Sequence, residues 1–100
     1  MKPITVYISG KVTGLDQKSV KTKFFAAEEL LKSKGFFPIN PVNFVPANAD
    51  HNQAMDICLP ILLKADKIYL LPDWYDSPGA RKEFAVAQKN NIEQLILDFE

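Results

Sequence analysis

The stretch KIYLLPDWYDSPGARKEFAVAQ, Lys67 to Gln88, reads as a strand, a turn and a helix in immediate succession. Ile68 to Leu71 form an apolar run with one aromatic, of strand length and ended by Pro72. Ser77 suits a helix N-cap, and Pro78 suits the first helical position, where a backbone N–H would have no partner anyway. Arg81 to Asn90 then lie in the helix. A strand that feeds straight into a helix is half of a crossover, so the fold turns on whether the rest of the chain repeats the unit.

Upstream, ITVYIS (Ile4 to Ser9) is β-branched and aromatic and closes on Gly10, which predicts a strand covered on both faces. GKVTGLD is a glycine-bearing loop, with Asp16 or Ser19 available to cap the helix that follows. In that helix Val20, Phe24, Ala27 and Leu31 recur at helical spacing, and Gly35 is placed to stop it. FFPI is a short second strand, and NPVNFVPANADHNQ a loop of prolines and turn residues. A second helix is expected over Gln53 to Lys64, kinked or split at Pro60, which has no N–H to give the ladder. QLILDF, Gln94 to Phe99, is the last strand. Strands that alternate with helices imply parallel pairing through right-handed crossovers. The expectation is a single α/β domain over residues 1–100, a small Rossmann- or flavodoxin-like three-layer sandwich with four parallel strands in the order 2-1-3-4.

The composition narrows the function. Twelve basic and twelve acidic residues cancel, so there is no general basic field and no polymeric nucleic acid is expected as a partner. The single Cys58 leaves no internal disulfide and fits a reducing compartment. The opening MKPITVYISG is too short an apolar run for a signal peptide, and no stretch approaches the length of a membrane span. A cytoplasmic protein without a membrane partner is expected. His51 is a lone histidine in a polar loop and makes no metal site with Cys58. With no Walker lysine and no full dinucleotide fingerprint, no cofactor is expected either.

In an open parallel sheet of that order, ligands bind outside the carboxyl ends of the strands where the connections diverge. The residues there are Tyr7, Ser9 and Gly10 from the first strand, Asn40 from the second and Asp73 from the third. Trp74, Ser77, Gly79 and Glu83 follow just beyond. Ser77 and Gly79 offer a hydroxyl and N–H groups at a helix start, which suits a phosphate or sugar hydroxyl, or simply a capped helix. Tyr7 lines the pocket or fills the core. Trp74 and Tyr75 offer faces for stacking on a base or on a partner subunit. Asn40 caps its loop or faces the pocket.

These residues carry a resemblance. YISGKVTG resembles the Tyr-x-x-Gly-x-x-x-Gly opening of the nucleoside 2-deoxyribosyltransferases and the related deoxynucleoside-monophosphate N-glycosidases. ADKIYLLPDWYDSPGARKEFAVA resembles their second signature: an Ala-Asp, an apolar strand, a Ser or Asp, a Gly-bearing turn and a catalytic Glu six residues after that Ser, here Ser77 and Glu83. The likeness is to the short bacterial and phage members, and it runs from Tyr7 to the last strand. It implies that Glu83 is a nucleophile that cleaves the N-glycosidic bond of a nucleoside or nucleotide through a covalent sugar ester, with water or a second base as acceptor. An ionised carboxylate is what that chemistry needs, and a Glu in the opening turns of a helix is favoured as the anion by the local dipole. The other reading is a solvated helix residue paired with a lysine.

By the same resemblance Gly10, Lys11, Thr13 and Gly14 fall where monophosphate-specific relatives hold a 5′-phosphate. Asp56 falls near an acid that handles the departing base, and Tyr7 orients the nucleophile. Asp73 is a candidate for hydroxyl binding or proton transfer. Arg81 stands where the family has a second glycine, so it either narrows the pocket or binds an anion. Longer relatives complete the neighbouring subunit's site with a C-terminal segment; the sequence here runs to Glu100. The resemblance therefore leaves a site completed in another way, or a module that binds a nucleotide without turnover. A homo-oligomer is expected from the small size, the apolar AMDICLPILL and Trp74-Tyr75.

Overall fold

The computed structural model describes residues 2–46 and 48–97. Strand β1 (Thr5–Ser9) is buried from Val6 to Ser9, and it sits at the middle of the sheet because both of its faces are covered. Helix α1 (Gln17–Ser33) leads to β2 (Phe37–Ile39), then α2 (His51–Leu62), β3 (Lys67–Leu70), α3 (Pro78–Lys89) and β4 (Glu93–Gln94). All pairings are parallel and the order is β2-β1-β3-β4, the α/β arrangement that the alternating pattern predicts. Tyr7 stands opposite Ile39 on one side and Ile68 on the other.

The two-residue period of β1 sorts its side chains onto two cores. Val6 and Ile8 pack with Val20, Phe24, Ala27 and Leu31 of α1. Tyr7, on the opposite face, packs with Ile68 of β3, Cys58 and Leu62 of α2 and Ala87 of α3. Ser9 shares the face of Tyr7, so both of these hydroxyls of β1 point at the layer of α2 and α3.

Each helix is bounded by its own chemistry. Asp16 caps α1 by accepting the Ser19 N–H at 2.9 Å. At its other end Phe36 N–H reaches the Leu31 carbonyl and Gly35 N–H that of Lys32, a Schellman pair that needs Gly35 at φ +89°. Helix α2 begins two residues earlier than the expected Gln53, since Asp50 and Gln53 form a reciprocal capping box. It is neither split nor stopped by Pro60. That residue lies in the last turn, where its missing N–H deprives only the Asp56 carbonyl, on an exposed residue that water can serve.

The fourth strand is shorter than the expected Gln94 to Phe99. Regular pairing ends at Gln94, and residues 98–100 lie outside the described part. Leu95 and Leu97 still turn inward while Ile96 is exposed, and Leu95 N–H bonds the Ile68 carbonyl at 2.8 Å. Alternating hydrophobicity reported side-chain burial there, not the length of the ladder.

Two side-chain ties hold the strand ends. Asp66 Oδ2 accepts from both the N–H and the hydroxyl of Thr5, at 2.9 and 3.0 Å, fastening the start of β3 to that of β1. At the other end Lys23 of α1 donates to Asp73 Oδ2 at 2.5 Å and to the Lys11 carbonyl at 2.6 Å. Among the described residues no helix is long and apolar enough to cross a membrane.

Candidate active site

Glu83 is the sixth residue of α3, and Ser77 sets its position. The Ser77 hydroxyl accepts the Ala80 N–H at 3.1 Å, which fixes where the helix begins and therefore which face carries residue 83. Gly79 and Glu83 are four apart and share that face. It turns inward, and Glu83 is only 5% exposed. Its carboxylate meets two of the three hydroxyls of β1: Tyr7 donates its hydroxyl to Oε2 at 2.5 Å, and Ser9 donates to Oε1 at 2.7 Å. These fill two of about four acceptor positions on the carboxylate, so each oxygen keeps a lone pair.

Burial raises the pKa of Glu83, and the Tyr7 and Ser9 hydroxyls offset this only in part. The helix dipole, expected to favour the anion, fades beyond the first turn and does not reach the sixth residue. Glu83 is not a solvated residue paired with a lysine either. Tyr7 is pushed up, first by burial and then by the Glu83 charge and by Cys58, so its phenol stays protonated and remains a donor. Burial likewise raises the Cys58 thiol.

Beside Glu83 lies a cavity of about 560 Å³, within the range of small-molecule sites. Tyr7 and Glu83 line it with Gly10, Thr13, Ser77 and Gly79. Six of the residues singled out from sequence thus meet around one space. Ser9 stands behind Glu83 as its donor. Gly10 also has a packing reason, since a Cβ there would fall 2.7 Å from Leu71 Cδ1.

Other candidates lie elsewhere. Asp56 is exposed and borders an outer hollow with Gln53 and Ile57, because the buried stripe of α2 is Met55, Cys58 and Leu62, with the exposed His51 at its cavity end. Asp73 does not line the cavity. Burial works to raise its pKa, but Lys23 and the Lys11 N–H outweigh that and hold it below the usual carboxylate range, which suits a structural anion rather than a proton donor. Lys11 spends its backbone on the same tie, and Gly14 is an exposed turn residue at φ +87°. Neither lines the cavity, nor does Asn40, whose Oδ1 caps the turn at Pro41–Asn43 by accepting the Val42 N–H. Trp74 packs edge-on against Phe84 and Tyr75. Arg81 points outward, its guanidinium 5.6 Å from the Tyr75 ring, so it neither narrows the cavity nor reaches an anion inside it.

The cavity also has walls that the sequence reading passed over. Gln17 and Lys21 come from α1, and His51, Met55 and Cys58 from α2. The spacing 51, 55, 58 is a helical stripe, but it shows only once the helix starts at His51. The Asp50-to-Gln53 capping box was the available signal. Among the described residues no group of three or more His, Cys, Asp and Glu could hold a metal ion.

A family model described as a domain of unknown function (DUF4406) matches residues 4–96. No curated protein and no solved structure matches the chain.

Proposed function

The chain belongs to the DUF4406 family, and from the geometry of its cavity we propose that it cleaves the N-glycosidic bond of a nucleoside or nucleotide with Glu83 as nucleophile. One observation carries the reading: a carboxylate 5% exposed, held by two hydroxyl donors, at the wall of a ligand-sized cavity. A buried carboxylate is costly even when hydrogen-bonded, and such perturbed groups in clefts concentrate at functional sites. Tyr7 and Ser9 orient the two oxygens and stabilise the anion that attacks the anomeric carbon. The resulting sugar ester passes to water or to a second base. Ser77 and Gly79, at the capped start of α3, are placed to meet a sugar hydroxyl or phosphate. Lys21, which has no carboxylate partner among the described residues, adds a cation at the same cavity.

We place this activity in the cytoplasm, where the buried thiol of Cys58 stays reduced. We further propose a homo-oligomer as the working form, on the strength of the exposed Phe25, Phe37, Phe44, Tyr75 and Ile96.

The test is incubation with the four common 2′-deoxynucleosides and their 5′-monophosphates, following free base by chromatography. Base release is expected, and Glu83→Gln should reduce it by at least about 1,000-fold, since the amide cannot form the ester. Normal turnover by that variant removes Glu83 from the role. Thermal stabilisation by a nucleotide without base release would instead make the protein a binding module.

A further inference from the structure

We infer that His51 is the group that hands a proton to the departing base; the inference rests on the reading of Glu83 as nucleophile. Glycosidic cleavage through a carboxylate needs a second group that protonates the leaving atom. The two aspartates that sequence suggests for this work are misplaced, Asp56 on the outer face of α2 and Asp73 bound to Lys23. The donor must therefore come from the cavity wall.

The titratable groups on that wall, besides Glu83 and His51, are Tyr7 from β1, Lys21 from α1, and Asp50 and Cys58 from the α2 segment. Tyr7 already spends its proton on Glu83. Cys58 is buried against Tyr7, and its thiol is held protonated by burial. Asp50 accepts the Gln53 N–H at 2.8 Å as the cap of α2. Lys21 comes from α1, which packs on the Val6 and Ile8 face of β1, across the sheet from the layer that carries Glu83. Imidazole is the side chain whose ordinary chemistry exchanges a proton near neutral pH.

Placement agrees with chemistry. His51 occupies the first turn of α2, and its ring faces the start of α3: a Cβ on Gly79 would stand 3.4 Å from His51 Cε1 and 3.8 Å from Nδ1. Gly79 is one helical turn before Glu83 on the same face, about 5–6 Å along the helix. No side chain grows from Gly79 itself, and the Met55 Cε stands as near to that position as the imidazole does, at 3.4 Å. A sugar with C1 at Glu83 would point its base toward the exposed, His51 end of the stripe, since Met55 and Cys58 are buried.

In the first step a Glu83 oxygen bonds to C1 and the C1–N bond breaks. Its electron pair stays on the base nitrogen, and the base takes a proton from the His51 imidazolium. In the second step neutral His51 takes a proton from water as its oxygen attacks C1. The ester C–O bond returns its pair to Glu83, which restores both residues.

The test compares leaving groups. Base release from the deoxynucleosides and their 5′-monophosphates requires protonation, whereas nitrophenolate leaves 4-nitrophenyl 2-deoxyribofuranoside, or its 5′-phosphate, as a stable anion. In the first turnover, before water and His51 must release the sugar ester, His51→Ala and His51→Gln should lose base release by about 100-fold or more yet release nitrophenolate within about threefold of wild type, while Glu83→Gln loses both. His51 is exposed, so both variants should fold, and melting curves check this. Equal losses on the two substrate types, or no loss on either, overturn the assignment and leave Glu83 in place. Nitrophenolate release without base release by the wild type does the same. A wild type inactive on both substrate types overturns the Glu83 reading and this inference together.

Discussion

At the scale of single residues, the cost of holding Glu83 is itself measurable. Its carboxyl pKa is raised in the folded protein, chiefly by burial. The unfolded chain therefore gives up that proton at lower pH than the native one. Stability is unaffected below the unfolded value, near 4.5, and falls as pH climbs from there through the folded value. Glutamine carries no such cost and has nearly the same shape. Glu83→Gln should therefore melt above the wild type at pH 8, and the gap should close at pH 4. A variant that melts lower at both values would mean that the two hydroxyl bonds to the carboxylate outweigh its desolvation. Gain of stability with loss of turnover is the usual mark of a residue kept for function.

Among the elements, the end of β1 is the least forgiving place. Gly10 follows the last residue of the strand and lies against Leu71, whose own N–H bonds the Ser9 carbonyl at 2.8 Å. A methyl at Gly10 would come within 2.9 Å of Leu71 Cβ, an atom fixed to the backbone, so the two strand ends would have to part. Gly10→Ala should cost about 1–3 kcal/mol in urea unfolding. A loss below about 0.5 kcal/mol would show that Leu71 yields freely.

Much at this scale was legible beforehand. The β-branched run of β1, the helical stripe of α1 and the Ser77-Pro78 cap each depend on local chemistry, and each stands where sequence placed it. Helix α2 was less legible because its turn-like opening, NADHNQ, hides a capping box. That two-residue error in its start put His51 in a loop. The partners of Asp73 were beyond reach, since no local pattern brings Lys23 across 50 residues.

For the whole molecule, the predicted assembly state follows from what the fold leaves uncovered. Tyr75 is 67% exposed and Ile96 74%, on a chain too small to spare much apolar surface. Static light scattering at micromolar concentration should give a multiple of 11.3 kDa. A monomer mass would mean that these residues are individually solvated and that each cavity works alone.

The pairing of Glu83 with Tyr7 and Ser9 also has a bearing on synthesis. The donors precede the carboxylate by 76 and 74 residues. A ribosome that has released β1, α1 and β2 has made the cradle but not the group it holds. Until α3 leaves the exit tunnel and docks, no nascent chain carries the assembled constellation, whatever other parts have folded. Turnover would thus be absent from every product that stops short of α3, and its first appearance would time the docking of α3.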